Sequence, residues 1–380
     1  MSEACSSTND DHDHRAIGTR QDLFFFHHYS PGSGFFTPHG TRVYSSLVSY
    51  VRDLYWKYEY DEVITPNIFN FDLWEVSGHA AHYRANMFQL DVEGNAFGLK
   101  PMNCPSHCLM YANRVRSYRD LPIRYADFGA LHRNEFSGAL SGLTRLRRFQ
   151  QDDAHVFCRP DQVRQEVLTF LKMLREAYGI LNLSFAVKLS TRPVSFLGTV
   201  EQWERAEEDL AAALEDANIP YAMNPGDGAF YGPKIDVTVV DAQGRRFQCA
   251  TGQLDFQLPE RFDLKYVTSD TESLFARPVI LHRAILGSVE RMFALLAENY
   301  GGKWPLWLSP RQVAVLPVSE RALEYAENVR RALRTAGLHA SVDASARSVQ
   351  KKVREAQLEQ TNYIQSSANI YGTLPTSTNL

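Results

Sequence analysis

The chain has 380 residues, of which 44% are hydrophobic, and a formal net charge of −4. That length allows one large domain and a smaller one. The charge balance excludes a uniformly basic RNA-coating protein, although it allows a local basic groove. Five scattered cysteines are too few for a disulfide scaffold, which indicates a reducing compartment. Its uncharged apolar runs stay well short of about 18 residues, which excludes a membrane-spanning helix and membrane partners.

The amino-terminal part begins with a polar stretch rich in Ser, Asp and His, residues 1–20. We expect these residues to form a disordered leader, and their acidic side chains argue against a transit peptide. Folded structure is expected from about Leu23. An apolar periodicity typical of a helix covers residues 41–60, and a β-rich stretch closed by Pro66 follows it.

The middle of the chain alternates short β-like runs with turns, and helical patterns cover residues 160–178 and 200–217. The β-like runs are 97–99, 123–128, 147–151, 154–157, 234–240 and 246–256. Because they lack regular strand–helix–strand spacing, they favour an antiparallel sheet in an α+β domain over a doubly wound fold. We expect this domain to occupy residues 21–304.

A second, α/β unit is expected over residues 305–364, after the linker Gly301-Gly302. Its pattern is strand 313–317, helix 320–336, strand 340–342 and helix 349–360. The polar tail, residues 365–380, shows no further strand pattern, so the sequence predicts a sheet that stays unfinished.

Three soft metal-ligand candidates stand in β-rich surroundings: Cys104, His155 and His282. One Cys and two His with a fourth position open is the donor set of a zinc site that also holds a substrate. Their wide separation matches no short metal motif. From spacing alone, a packed cysteine and two hydrogen-bonded histidines are therefore the favoured interpretation.

An arginine-rich segment offers a nucleotide site without a Gly-rich phosphate loop. Arg133 and Arg145 flank a Gly/Ser-rich turn, and Arg291 starts a second helical pattern. Several cations suit a polyphosphate, while Phe149 and Glu135 suit the face and the amino group of an adenine. A solvated hairpin with scattered charge is the alternative for these residues.

Beyond residue types, several long stretches resemble threonyl-tRNA synthetases of class II. Motif 2 of that family is similar to residues 128–135 and 149–155, which end in Gln151-Asp152-Asp153-Ala154-His155, and motif 3 is similar to residues 282–291. Further matching stretches are Lys100-Pro101-Met102-Asn103-Cys104-Pro105, Leu189-Ser190-Thr191-Arg192-Pro193, residues 226–234 and Gln253-Leu254-Asp255-Phe256.

The resemblance implies a fold and an activity. The expected fold is a class II antiparallel-sheet catalytic domain followed by an incomplete α/β anticodon-binding domain. The expected activity is threonine–tRNA ligation, in which L-threonine and ATP form threonyl-adenylate before transfer to tRNA(Thr). ATP is expected with Mg²⁺, and the site with Zn²⁺.

The family's functional residues carry over to matching positions. The implied zinc ligands are Cys104, His155 and His282. The implied catalytic residues are Arg133, Lys234 and Arg291. The implied ATP contacts are Arg133, Glu135, Arg145, Phe149, Gln248, Thr251 and Arg291. The implied threonine pocket is Met102, Gln151, Asp153, Tyr231 and Gln253.

Two departures from the family pattern stand beside these matches. Ala80 follows Ser77-Gly78-His79 where an aromatic residue is usual, and Gly252 replaces a β-branched residue before Gln253. We expect both to loosen the pocket, and Gly252 to remove a packing side chain. Pro66 matches the motif 1 proline, so the preceding helix is expected to form a homodimer interface.

The resemblance also bears on the ends of the chain and its compartment. It implies that the editing region is absent and that the anticodon-binding domain is shortened. A catalytically impaired isoform that acts as a dimerisation or RNA-binding partner is therefore the alternative function, and another class II specificity is disfavoured by the zinc triad. Several stretches resemble mitochondrial forms, which favours the mitochondrial matrix, with the cytoplasm as alternative.

Overall fold

The computed structural model describes residues 12–240, 244–269 and 273–367. No helix in those ranges is both long and apolar enough to cross a membrane. The helices are α1 His14–Arg20, α2 Pro38–Lys57, α3 Asp72–Val76, α4 His79–Tyr83, α5 Cys104–Ala112, α6 Val163–Ile180, α7 Val200–Asp216, α8 Gln257–Arg261, α9 Val289–Asn299, α10 Leu323–Thr335 and α11 Val349–Leu358.

The strands alternate with these helices and are mostly short. They are β1 Phe24–Phe26, β2 Gly34–Phe36, β3 Asp61–Glu62, β4 Ile68–Asn70, β5 Gln89–Val92, β6 Asn95–Leu99, β7 Ile123–Asp127, β8 Ala130–His132, β9 Arg148–Gln150, β10 Asp153–Cys158, β11 Phe185–Ser190, β12 Tyr221–Asn224, β13 Lys234–Val240, β14 Arg246–Asp255, β15 Tyr266–Val267, β16 Phe275–Ala276, β17 Val279–Ala284, β18 Val313–Pro317, β19 Ala340–Val342 and β20 Tyr363–Ser367.

The larger of two compact units, residues 26–34 and 48–296, is built on an eight-stranded sheet. Its strand order is β12-β11-β13-β14-β17-β10-β7-β3. The central pairs β13·β14, β14·β17 and β10·β17 are all antiparallel. The predicted α+β fold with an antiparallel sheet is therefore confirmed.

A buried hydrogen-bond centre joins the end of α2 to the middle of this sheet. The Tyr55 hydroxyl donates to the backbone oxygen of Asp152 at 2.7 Å and to its carboxylate at 3.0 Å. The same carboxylate accepts the amides of Ile285 at 2.6 Å and Leu286 at 3.0 Å. Because Asp152 is fully buried, these bonds satisfy a group that would otherwise be costly to bury, and they hold the segments before β10 and after β17 together.

The sheet face behind Gly252 is filled by α6. A Cβ at this glycine would lie 2.9 Å from Phe170 Cε1, closer than packed carbon atoms approach. The Phe170 ring is fully buried, and side chains alternate along a strand, so Gly252 faces away from Gln253. The expectation that Gly252 loosens the pocket and leaves packing space is wrong, because a phenylalanine from the helix occupies that space.

Among the described residues, the second unit comprises 12–25, 35–47 and 297–367. Within it, the parallel sheet β19-β18-β20 is covered on both faces. Val313 and Val315 pack with Ala326 of α10, whereas Ala314 and Leu316 pack with Ala356 of α11. This alternation explains why β18 reads as a continuous apolar run.

The prediction that the sheet ends without a further strand is wrong. Tyr363–Ser367 form β20, in which Ile364 is paired with Ala314 and Gln365 with Val315. Pairing uses backbone groups, and β20 lies at the edge of the sheet, so polar side chains are tolerated there. Residues 368–380 of the predicted tail lie outside the described residues.

The prediction of a disordered leader is also wrong for residues 14–20. His14–Arg20 form α1, and the Asp13 side chain accepts from the backbone of Arg15 at 2.7 Å as its cap. Ile17 is fully buried, and His14 Nδ1 lies 2.8 Å from Glu298 Oε1. A partner distant in sequence therefore orders this helix. Residues 1–11 lie outside the described residues.

Candidate active site

The three predicted metal ligands converge in the centre of the eight-stranded sheet. His155 of β10 and His282 of β17 are direct cross-strand partners, with ring centroids 4.6 Å apart. Cys104 is the first residue of α5. One ligand atom from each of the three residues lies within 4.8 Å of the others, and all three residues are buried.

Each histidine ring uses one nitrogen for a protein contact. His282 Nε2 lies 2.8 Å from Asp255 Oδ2, and His155 Nδ1 lies 2.8 Å from His107 Nδ1. The other ring nitrogen of each is left for the cluster. Burial, together with the neighbouring histidines, holds the pKa of His155 well below its usual range, so its imidazole is neutral, the form that binds metals.

The donor set fits zinc better than a hard cation. Sulfur and two imidazole nitrogens are borderline-soft ligands, whereas Mg²⁺ and Ca²⁺ prefer oxygen. Burial raises the pKa of the Cys104 thiol, and the nearby Asp153 carboxylate adds to the rise. A free thiolate is therefore disfavoured here, while a thiolate bound to a divalent cation has its charge compensated.

A small cavity of about 30 Å³ borders the cluster. Met102 and Tyr231 line it with Cys104 and His282. The Tyr231 hydroxyl donates to Gln253 Oε1 at 2.6 Å, which holds two predicted threonine contacts against each other.

Two more predicted threonine contacts lie beside the cluster. Asn103 Nδ2 donates to Asp153 Oδ2 at 3.0 Å, and Asp153 Oδ1 lies 3.9 Å from His155 Nε2. Gln151 lines a neighbouring larger cavity. Of the predicted threonine set, Met102, Asp153, Tyr231 and Gln253 thus lie at or beside the cluster, and Gln151 lies in the larger cavity.

That larger cavity has a volume of about 400 Å³ and is strongly polar. Every residue predicted to contact ATP lines it: Arg133, Glu135, Arg145, Phe149, Gln248, Thr251 and Arg291. Strands β8 and β9 pair antiparallel and present Phe149 and the arginines around their turn. The expected arrangement of arginines around a Gly/Ser-rich turn is therefore present, and the turn is flanked by two paired strands.

The arginines are held in place before any ligand binds. Arg291 donates to the backbone oxygens of Thr144 at 3.1 Å and Gln248 at 2.9 Å. Burial, and then the charges of Arg133 and Arg145, lower the pKa of Arg291. Three cations that repel each other across one cavity favour a polyanion between them.

Glu135 and Phe149 already engage two of these cations. Arg145 donates to Glu135 Oε2 at 2.8 Å, and the Arg133 guanidinium carbon lies 4.9 Å from the Phe149 ring centroid. Arg133 therefore lies over the Phe149 ring, at a distance typical of a cation–π contact. All four residues of these two contacts line the same cavity.

A bulge in β14 sets the far wall of the cavity. The register between β13 and β14 shifts between Asp236 and Thr238, which brings Gln248 and Thr251 into the same cavity although three positions separate them. Gln248 donates to Asp236, which also pairs with Lys234 at 3.0 Å. Lys234 is in register with Gln253 on the neighbouring strand.

Two family models match the chain. The tRNA synthetase class II core domain (G, H, P, S and T) matches residues 84–300, and the anticodon binding domain matches residues 312–365. A solved structure described as the RNA binding domain of threonyl-tRNA synthetase from Cryptosporidium parvum Iowa II is 55% identical, with a TM-score of 0.91, and the match covers 93% of this chain and 89% of that one. The chain belongs to the threonyl-tRNA synthetase family.

Members of this synthetase family from other organisms are similarly related. Mitochondrial threonine–tRNA ligase 1 of Arabidopsis thaliana is 57% identical over 93% of this chain and 50% of its own length. The cytoplasmic threonine–tRNA ligase of Saccharomyces cerevisiae is 56% identical over 93% of this chain and 48% of its own length. The chain thus spans about half the length of these relatives.

Some residues around this synthetase site were not predicted. Tyr83, Thr144 and Ser288 line the larger cavity. Asp255 and His107 contact the two histidine ligands. A sequence-level indication existed for His107, because it stands three positions after Cys104 in a helix and so shares its face. None pointed to Ser288.

Proposed function

We propose that this chain is a threonine–tRNA ligase, which forms threonyl-adenylate from L-threonine and ATP and transfers the threonyl group to tRNA(Thr). One observation carries the proposal. A buried Cys104–His155–His282 donor cluster and a cavity lined by three arginines draw residues from neighbouring strands of one sheet, β10 and β17 for the cluster and β14 for the cavity. A site for an amino acid beside a site for a polyphosphate is what amino-acid activation requires.

In this proposal, Cys104, His155 and His282 hold Zn²⁺. When bound, Zn²⁺ would act as a Lewis acid that accepts both the amino group and the hydroxyl of threonine as ligands, whereas valine lacks the hydroxyl. Asp153 and the Tyr231–Gln253 pair lie where they would orient the rest of the amino acid. Serine keeps both ligand groups, so the site discriminates against it weakly.

The arginines act on ATP by charge and position. Arg133 is proposed to contact the α-phosphate, where negative charge grows as the threonine carboxylate attacks, with Lys234 on the opposite side. Arg145 and Arg291 hold the outer phosphates, and Mg²⁺ enters with ATP. The carboxylate is already a nucleophile, so preorganised cations supply most of the catalysis. Phe149 gives the adenine an aromatic face.

Pyrophosphate exchange tests this function. Purified protein with measured zinc content is assayed with threonine, serine or valine. We expect exchange with threonine, weaker exchange with serine and almost none with valine. Arg133→Ala should reduce the rate at least about 100-fold, as for loss of a transition-state contact. The matched control is Arg164→Gln. It removes the exposed ion pair between Arg164 of α6 and Asp216 of α7 and should leave the exchange rate unchanged.

The outcomes separate the two functions. Exchange confined to threonine and serine supports the ligase. No exchange from a folded, zinc-loaded protein overturns it and favours the alternative of a dimerisation or RNA-binding partner. Aminoacylation of a tRNA(Thr) transcript then tests the transfer step separately.

We further propose a homodimer through the segment that contains Pro66. Trp56 is 80% exposed and Ile64 is 90% exposed, although both are large apolar side chains, and β3 lies at the edge of the sheet. Exposed apolar side chains at an open sheet edge are typical of an interface. Sedimentation of Ile64→Lys should show monomers where the parent chain shows dimers; an unchanged mass would refute this interface.

The compartment is proposed to be the mitochondrial matrix, with the cytoplasm as the alternative. Relatives at nearly equal identity carry mitochondrial and cytoplasmic names, so similarity alone does not choose between the two. Imaging of a tagged full-length product decides.

A further inference from the structure

A histidine outside the predicted ligand set lies behind His155. His107 lies on α5, is fully buried, and its ring centroid is 4.7 Å from that of His155 with the planes at 83°. The two Nδ1 atoms are 2.8 Å apart. At that distance one nitrogen donates a proton and the other accepts it, so the protonation of one ring dictates that of the other.

The opposite side of His107 indicates which ring donates. His107 Nε2 lies 3.8 Å from Asp127 Oδ2 and has no other polar partner among the described residues. Its nearest acceptor is therefore a carboxylate, which favours a proton on Nε2. With its proton on Nε2, His107 presents Nδ1 as the acceptor, and His155 donates its own Nδ1 proton.

Asp127 is held as a carboxylate. Burial raises its pKa, but the nearby His107, the hydrogen bond from Thr65 and the charge of Lys100 outweigh burial and lower it to about 2. Thr65 donates at 2.7 Å, and Lys100 Nζ lies 3.5 Å away. Lys100 and Asp127 are both almost completely inaccessible to solvent, so the negative charge beside His107 is permanent at neutral pH.

We propose that His107 is a positioning residue that keeps His155 as its Nδ1–H tautomer, so that His155 Nε2 faces Cys104 and His282. The inference rests on the proposed metal site and adds to it a residue that touches neither metal nor substrate. Asp255 has the corresponding position on His282, where it accepts from Nε2 and leaves Nδ1 for the cluster. The two ligands thus use different ring nitrogens, each selected by an acceptor behind the ring.

The size of the expected effect follows from how such partners act. Removal of a hydrogen-bond acceptor behind a metal-bound histidine typically weakens metal affinity about 10- to 100-fold. The ring loses its preferred orientation, and the tautomer with Nε2 protonated, which cannot bind the metal through that atom, becomes populated.

Two substitutions of His107 separate hydrogen bonding from packing. His107→Asn places its amide oxygen close to the former Nδ1 and can still accept from His155. His107→Leu fills the space without an acceptor. Zinc affinity is measured on the full chain by competition with a chromophoric chelator, and the melting temperature of the metal-free protein shows whether each variant folds.

We expect His107→Leu to weaken zinc binding at least tenfold, and His107→Asn to remain within about threefold of the parent chain. Equal weakening by both substitutions would show a packing role and overturn the proposal, as would no weakening by either. If His107→Leu fails to fold, the asparagine variant is compared with His107→Gln, whose amide lies farther out and should bind zinc more weakly. His155→Ala tests the metal site itself, since unchanged zinc binding in that variant would refute the site rather than the role of His107.

Discussion

Substitution of Gly252 by valine tests how this sheet packs against α6. The Cβ of any side chain at this position would meet Phe170 Cε1 at 2.9 Å and Cδ1 at 3.2 Å. Valine adds two further methyl groups on the same side, and Phe170 is fully buried and has no free space to move into. The ring or the helix must therefore shift.

The expected loss of stability is moderate. Overpacking a well-filled core typically costs about 1–3 kcal/mol, and the strand preference of valine over glycine offsets less than about 1 kcal/mol. A net loss of about 1–2 kcal/mol would lower the melting temperature by about 2–8 °C for a unit of this size.

The assay is a double-mutant cycle followed by calorimetry and threonine activation. Phe170→Leu alone removes packing and should destabilise the unit. The double variant with Gly252→Val should be more stable than the sum of the two single losses predicts, by at least about 1 kcal/mol in the free energy of unfolding. The KM for threonine should stay unchanged below the melting temperature. Additive effects on stability, or a changed KM without a lower melting temperature, would show that Gly252 faces the pocket after all.

Three other substitutions have defined outcomes. Phe149→Leu removes the aromatic face on which Arg133 lies, so the KM for ATP in pyrophosphate exchange should rise about tenfold, or about 1.4 kcal/mol; a change under twofold would contradict the stacking role. The pKa of Asp127 is lowered to about 2 from 3.8 because nearby donors and a lysine outweigh burial. Ionised Asp127 therefore stabilises the folded state above pH of about 4, and this stabilisation is lost as the pH falls toward 2. The free energy of unfolding measured with urea should accordingly fall by about 2 kcal/mol over this range in the parent chain and not in Asp127→Asn. Lys352→Met removes a buried ammonium that donates to two backbone oxygens at 2.9 and 3.3 Å and should destabilise its unit by about 1–3 kcal/mol, whereas Lys351→Met, on an exposed position of the same helix, should not.

The interpretation of elements from sequence succeeded where one pattern persists over several residues. The bounds of β13 and β18 were predicted as they stand in the structure, because β18 is a continuous apolar run and β13 is rich in the β-branched residues Ile, Val and Thr. The helix α1 was missed because seven residues give too little periodicity. Its order depends on Ile17 and His14 and their distant partners, which local sequence does not contain.

Interpretation of the site shows the same limit. Residues within recognisable stretches, such as Arg133 and His282, were placed where the cavity and the cluster are found. The partners that orient them were not, because a contact such as that between Asp255 and His282 arises from strand pairing and not from a motif. Lys352 is a further example, because a lysine in a polar helix pattern suggests an exposed position, whereas its side chain is buried and donates to a backbone oxygen of its own unit.

The geometry of β14 links the two halves of the site. Thr251 lines the arginine-rich cavity, and Gln253, on the same face of the strand, holds Tyr231 beside the metal cluster. Two residues along a strand span about 7 Å, which is the order of distance that separates an amino group from the phosphate attacked by the carboxylate of the same amino acid. Since a strand is stiffer than a loop, in the reaction proposed above the sheet itself would keep the carboxylate within reach of the phosphate, and such proximity can supply a large part of the barrier reduction.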